Sequence, residues 1–487
     1  MRTLLAASLG AACSAALSLP LVPAASAAWS APADVTAGSR PLAAGSTQSL
    51  PLARLGGGGD RALRPGPAAA DGAQGLPART VRPFSLLGVV WDDPGAELGG
   101  RAQVRTRALG SGRWSPWQDL QAHDEDAPDL DAAERRGEAP RGATAPLWVG
   151  ASDAVRLRVV PTTRHRPSEP PRLHRTALHP GSTARTPVLA PTPSRKPRGG
   201  RPDPRGARTT THRPLPKGLR LELVDPGPEK TTARPAKQSG TTPARDEASA
   251  ANAPLVKAGA RAIPAAGRAA ARRDVRLTGD RPPAHPRTGP RPRIVTRAGW
   301  QADESLRRPG FAYTGPVRAV FVHHSATGNH YTCQQAPAVI RAVYRYHVKS
   351  SHWRDLGYNF LVDKCGTVYE GRAGGVARPV RGAHTLGFNE NTTGVAVLGS
   401  YDRTAPPKAV TAALARLAAW KLGLSGADPS ATTRLVSRGG DRYPKGTRVG
   451  LKAISGHRDG FTTTCPGDRL YEKLGGIRTS SAHLQGR

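Results

Sequence analysis

The chain has 487 residues and carries 71 Lys and Arg against 36 Asp and Glu, a formal charge of +35. Its 55 Gly and 47 Pro make up about a fifth of the residues, and the aromatic fraction is only 5%. A single compact domain is excluded: one core rarely grows past about 250–300 residues, and Pro and Gly at this density without a Gly-X-Y period mark long linkers.

Met1-Arg2-Thr3 leads into a mostly apolar stretch from Leu4 to Val22 and the small-residue exit Ala25-Ser26-Ala27-Ala28. A positive start, an apolar centre and an A-x-A exit predict a secretory signal peptide over 1–28. Pro20 and Pro23 argue against an uncleaved anchor, and Gly10 stands where a lipidation site at Cys13 would prefer Leu. No later segment approaches the ~20 apolar residues of a membrane span. The expectation is a secreted, cell-wall-associated chain with no stable membrane insertion, and export removes nucleic acid as the partner of the positive charge. Cys333, Cys365 and Cys465 then remain in an oxidising compartment. Their odd number leaves two alternatives: one thiol is free, or one has another task such as binding a metal.

After a flexible segment over 29–80, residues 81–160 read as a small all-β module. Phe84–Trp91 is an apolar run, while Ala102–Arg107 and Val155–Val160 alternate polar and apolar residues as half-buried strands do. Leu219–Val224 alternates in the same way and is a candidate last strand, reached across a long insertion. Trp114-Ser115-Pro116-Trp117 suggests a carbohydrate-stacking face, although core packing is the plainer expectation for aromatics beside strands. Residues 161–290 hold 26 basic and 9 acidic side chains and 23 of the 47 prolines. Such a composition buries too little apolar surface to offset ordering entropy, so a largely disordered linker is expected. Compositional drift and a selected affinity for anionic wall polymers both explain its charge.

From Ile294 the texture changes. Pro316–His324 and Gly394–Leu398 read as buried strands, Tyr358–Asp363 and Thr367–Glu370 as a hairpin, and Gln334–Val348 and Lys408–Leu422 as helices, with a short helix after Cys465-Pro466-Gly467. The expected fold is α/β, a mixed central sheet with flanking helices over 291–478, followed by a flexible tail over 479–487. Three side chains attract attention as zinc donors: His323 near a strand end, His457, and Cys465 eight residues later. Two imidazoles and a thiolate leave a fourth position for water, the catalytic arrangement. Taken singly, His457 reads as an ordinary histidine and Cys465 as half of a disulfide.

Arg297-Ala298-Gly299-Trp300, Val322-His323-His324-Ser325, Trp353–Phe360, Tyr369-Glu370-Gly371-Arg372, Gly382-Ala383-His384, Asn389–Val395 and Gly456–Gly467 occur in one order over nearly 190 residues. In these pieces the C-terminal region resembles the peptidoglycan recognition protein and zinc amidase family, which includes phage lysozyme-type N-acetylmuramoyl-L-alanine amidases. About 60% of the chain lies outside the resemblance.

The resemblance implies hydrolysis of the amide between N-acetylmuramic acid and L-alanine of peptidoglycan, with Zn2+ held by His323, His457 and Cys465. It implies that Tyr358 hydrogen-bonds the reacting water or carbonyl oxygen. Thr463 stands where phage enzymes carry Lys, so a cationic group is absent there. Trp353, Arg372, His384 and Asn389 are the implied substrate groove, with Asp355 and Asp459 as candidate partners behind the ligands. With Cys465 on the metal, Cys333 and Cys365 remain as a disulfide pair; pairing of Cys465 with either would destroy the metal site. The working unit is expected to be a monomer. The alternative function is non-catalytic binding of peptidoglycan or a wall polymer.

Overall fold

The computed structural model describes residues 45–55, 72–121, 126–129, 132, 139–162, 213–228, 243–279 and 287–487. The expected signal peptide and the Pro- and Arg-rich stretches 163–212 and 229–242 lie outside the described residues.

The N-terminal module is all-β. Its strands are β1 (Ser46–Pro51), β2 (Ala53–Arg54), β3 (Gln74–Trp91), β4 (Gly100–Ala108), β5 (Gln118–Leu120), β6 (Gly142–Ala143), β7 (Leu147–Pro161) and β8 (Arg220–Asp225). They form one antiparallel sheet in the order β1-β8-β3-β7-β4-β5, with β2 and β6 also paired to β3. The candidate strand at 219–224 is therefore real and lies between β1 and β3. The module starts earlier than 81, because β1 and the first half of β3 fall in the stretch expected to be flexible. Leu87, Val89, Trp91, Val104, Leu157 and Leu221 pack as its own core. Trp114 is exposed and Trp117 is half-buried beneath arginines, with the Arg158 guanidinium 4.4 Å from its ring, so neither serves as core.

The C-terminal domain runs through α1 (Pro243–Ala250), β9 (Ala262–Ile263), α2 (Arg268–Ala271), β10 (Ile294–Val295), β11 (Ala319–His324), α3 (Ala336–Arg345), β12 (Phe360–Val362), β13 (Val368–Glu370), β14 (Thr392–Val397), α4 (Lys408–Leu424), β15 (Thr432–Val436), β16 (Arg448–Lys452), β17 (Ile454–Gly456), α5 (His457–Gly460), α6 (Asp468–Tyr471) and α7 (Leu474–Gln485). Seven strands make a mixed sheet in the order β17-β11-β14-β12-β13-β10-β9, and β15–β16 is a separate hairpin. The expected α/β fold is present.

Two boundaries move. Residues 243–279 belong to this domain rather than to a linker: Asn252 Nδ2 donates to Glu370 Oε1 at 2.7 Å, Asp274 pairs with Arg291 at 2.6 Å, and β9 extends the sheet. Apolar groups spaced among Arg and Ala, such as Ile263 and Val275, supply the burial that bulk composition hid. The expected tail over 479–487 is mostly helical, because Ser481 and Gln485 hydrogen-bond the Ala415 and Ala419 carbonyls of α4. The Cys333–Cys365 disulfide is formed, with Cα atoms 6.3 Å apart, and fastens the start of α3 to the β12–β13 turn. A cross-link closing such a loop stabilises by roughly 3–4 kcal/mol in the chain-entropy model.

The two domains share a core. Leu86, Val90, Trp148 and Val224 of the module pack with Val339, Ile340, Val343 and Tyr346 of and beyond α3. Each such side chain, fully buried, is worth about 1.5–3 kcal/mol. Tyr346 Oη donates to the Thr144 carbonyl at 3.1 Å, and a Cβ on Gly88 would collide with the Tyr346 ring, so glycine is needed there for close approach. The buried Glu222 carboxylate accepts from Ser49 on one side and Ser350 on the other, at 2.6 and 3.1 Å.

Candidate metal centre and groove

Strand alternation and register bring the donors together. In β11, Val320 and Val322 face the α4 and α7 side, whereas Ala319 and Phe321 face the other. His323 continues the second set. β11 runs parallel to β17 with Val322 opposite Gly456, so the next residues, His323 and His457, leave the carboxyl ends of neighbouring strands side by side. Their ring centroids are 4.6 Å apart. Cys465 returns on the loop after α5, closed by a hydrogen bond from Arg458 N to the Cys465 carbonyl at 3.0 Å. Donor atoms of His323, His457 and Cys465 all lie within 4.8 Å of one another, and all three residues are fully buried.

The surroundings fit a metal. His323 Nε2 lies 3.3 Å from His384 Nδ1 and 3.4 Å from Thr385 Oγ1, which leaves Nδ1 pointing toward Cys465 Sγ at 3.8 Å. His457 makes no hydrogen bond through either buried ring nitrogen, although an Asp126 oxygen lies 3.1 Å from its Nδ1, and a metal bond would satisfy one of them. Two imidazoles and one thiol, the thiol outside any disulfide, are a donor set that suits Zn2+. Burial first, and then nearby His323, push His384 well below the usual histidine range, so it stays neutral. A neutral ring behind His323 fixes the ligand's orientation without adding charge.

Tyr358, two residues before β12, has its ring centroid 5.4 Å from that of His323. Its hydroxyl donates to Asp126 Oδ2 at 2.6 Å. Asp126 belongs to the N-terminal module, and its other oxygen lies 3.3 Å from His323 Nδ1 and 3.1 Å from His457 Nδ1.

The family described as N-acetylmuramoyl-L-alanine amidase matches residues 313–468, and an N-terminal galactose-binding domain-like family matches residues 33–184. A human protein described as N-acetylmuramoyl-L-alanine amidase is 34% identical over 192 residues, covering 38% of this chain and 28% of the human one. The chain thus spans little more than a quarter of that relative. Peptidoglycan-recognition protein SC1a of Drosophila melanogaster is 30% identical over 184 residues, covering 38% of this chain and 84% of the fly protein. This chain belongs to the peptidoglycan recognition protein and amidase family. Among solved structures, peptidoglycan recognition protein-LE in complex with tracheal cytotoxin, a monomeric diaminopimelic acid-type peptidoglycan, is 26% identical over 38% of this chain and 92% of its own, with a TM-score of 0.30.

Within this family member the other expected groove residues divide. Trp353 packs on Ala127 and Ala383, and Asn389 Nδ2 donates to the Ala127 carbonyl and to Asp129 Oδ1, both at 2.9 Å, so these two meet one segment of the N-terminal module. The Arg372 guanidinium donates to the Leu356 and Arg381 carbonyls and braces the loop, and His384 is wholly buried behind His323. Thr463 Oγ1 accepts the Cys465 amide at 3.1 Å and shapes the ligand loop.

Asp459 accepts from Gly456 N and Tyr471 Oη and so steadies the turn that carries His457, whereas Asp355 ties Arg297 to the loop before β12 and lies outside the donor cluster. Sequence reasoning missed Arg381 and the acidic segment Asp126–Asp129. The one available signal was the density of acids in His123-Asp124-Glu125-Asp126-Ala127-Pro128-Asp129, which reads as a solvated loop.

Proposed function

We infer that this chain is an exported, zinc-dependent N-acetylmuramoyl-L-alanine amidase acting on peptidoglycan. The observation that carries this reading is the convergence of His323, His457 and Cys465 with the Tyr358 hydroxyl at one buried spot. A protein that only binds peptidoglycan would have no use for this complete donor set. The basic stretch 161–290 is proposed to add contacts with anionic wall polymers.

His323, His457 and Cys465 would hold the zinc, which would supply Lewis acidity and lower the pKa of water to about 7. The chain's own groups do the rest. His384 and Thr385 keep His323 turned toward the donor cluster, and Thr463 and Asp459 hold the loop between His457 and Cys465 in shape. The hydrolysis adds water oxygen to the lactyl carbonyl carbon and breaks the C–N bond. The nitrogen leaves with a proton as the free amino group of L-alanine. Tyr358 Oη, now donating to a carboxylate oxygen, is placed to donate to the carbonyl oxygen as negative charge develops on it. A single donor of this kind is worth about 10²–10³ in kcat, so Tyr358→Phe is expected to lose that much while zinc content stays unchanged.

The direct test is muropeptide analysis by mass spectrometry after digestion of purified walls with the zinc-loaded whole chain, as wild type and as Asp126→Asn, with and without chelator. Stem peptides with a free L-alanine amino terminus are expected, and their release stops with chelator. Absence of such products for both proteins on every wall preparation would sink the reading.

A further inference from the structure

Four residues of the N-terminal module lie against the donor cluster and its neighbours. Asp126, Ala127, Pro128 and Asp129 are all buried, although they come from the connection between β5 and β6, more than 190 residues before the ligand His323 in sequence. Asp126 places one oxygen against His323 and His457 and the other on the Tyr358 hydroxyl. Ala127 lies against Trp353, and its carbonyl accepts from Asn389. Asp129 accepts from Gly387 N at 2.8 Å, Asn389 Nδ2 at 2.9 Å and Arg381 Nη2 at 2.9 Å. Burial pushes the Asp129 carboxyl up, and those three donors offset the cost of its charge.

The spacing of the donor atoms indicates what Asp126 does. Atoms about 2.0–2.3 Å from a common tetrahedral centre stand roughly 3.3–3.6 Å apart. The contacts of Asp126 Oδ1 with the two histidines, 3.3 and 3.1 Å, lie at and just below this range and that of His323 with Cys465 Sγ, 3.8 Å, just above it, while the donors that stand within 4.8 Å of one another are those of His323, His457 and Cys465. His457 makes no hydrogen bond through either buried ring nitrogen, and Asp126 Oδ1 stands 3.1 Å from its Nδ1. Four protein donors close a zinc site, whereas catalysis needs one position open.

We propose that Asp126–Asp129 is an internal substrate mimic that latches the groove shut, with Asp126 as a fourth metal ligand and Asp129 in the place of a peptide carboxylate. Building on the amidase reading, this makes the chain a latent enzyme. Asp126 takes the position of the water and scissile carbonyl. Asp129 fills a pocket of one guanidinium, one backbone amide and one side-chain amide that suits a carboxylate. Acidic stem peptides must displace this segment, and a latch closed nine-tenths of the time weakens their apparent affinity about tenfold.

The test uses the whole zinc-loaded chain as wild type, Asp126→Asn, Asp129→Asn and the double variant. Zinc retention is measured by chelator competition, affinity for a muramyl tripeptide by calorimetry, and stem-peptide release by mass spectrometry. Asp126→Asn is expected to give up zinc at least tenfold more readily, because an amide is a poorer ligand of nearly the same shape. The double variant is expected to bind muramyl tripeptide at least tenfold more tightly than wild type. Unchanged zinc retention and unchanged tripeptide affinity would overturn the latch. If the double variant gains affinity yet releases no stem peptide, the latch stands and the amidase reading falls. If wild type and double variant bind and cleave alike, the amidase stands and the latch falls.

Discussion

Replacing Cys465 with alanine is expected to cost the chain its zinc and all measurable amidase turnover while leaving the fold intact. Cys465 is fully buried, belongs to no disulfide, and its Sγ sits 3.8 Å from His323 Nδ1. Loss of a residue that merely supports a metal ligand costs about 10–100-fold in metal affinity or activity, so loss of the thiolate itself should exceed a hundredfold in both. The fold should survive because β11, β17 and the Cys333–Cys365 bridge do not depend on the thiol. Metal content after dialysis, measured beside far-ultraviolet circular dichroism, checks both halves. Full zinc retention by Cys465→Ala would show that the third donor has been misassigned.

The second large effect is on stability. Arg297 is buried and donates to both Glu304 oxygens at 2.8 and 3.1 Å, to Asp355 at 3.0 Å and to the Gly371 carbonyl at 2.6 Å. Its guanidinium also lies 5.2 Å from the Trp300 ring and 4.9 Å from that of Tyr344. Removing one partner of a buried ion pair leaves uncompensated charge and costs about 3–5 kcal/mol, so Arg297→Met should lower the denaturation midpoint sharply.

The penalty should also depend on pH. Burial pushes the Glu370 carboxyl up to about 7, and Arg297 is among the groups that hold it down. A carboxyl raised above its unfolded value is an ionisation burden that is absent at low pH, grows as pH rises from 4.5 to about 7, and levels off above its folded pKa. Without Arg297 the burden is larger, so the variant's deficit should widen from pH 5 to pH 8 in urea titrations. A deficit under about 1 kcal/mol at both pH values would contradict this account.

Much of the centre was legible because its chemistry is tied to local spacing. His323 ends an apolar run that alternation makes a buried strand, and His457 and Cys465 frame a short loop. What spacing cannot disclose is register, which sets His323 beside His457 across 134 positions of sequence. Nor does it say what a given arginine meets: Arg372 and Arg381 are nine residues apart in one loop, and Arg372 donates to the Leu356 carbonyl while Arg381 donates to the Asp129 carboxylate. Residues 243–279 resembled linker because Ala and Arg dominate them, while the few apolar side chains that anchor them are sparse. Asp126 was hidden for a different reason, since an acid gains meaning only from distant donors that surround it.

The strand order of the module has a consequence for covalent integrity. β8 lies between β1 and β3 but is connected in sequence to the C-terminal domain, beyond the stretch 163–212. A protease cut anywhere in that stretch would separate the polypeptide into two fragments without separating the protein, because the downstream fragment keeps a central strand of the upstream fragment's sheet. The nicked chain should run as two bands on a denaturing gel and as one peak in native gel filtration. Maturation by cleavage there would change the number of chains and leave the number of particles the same.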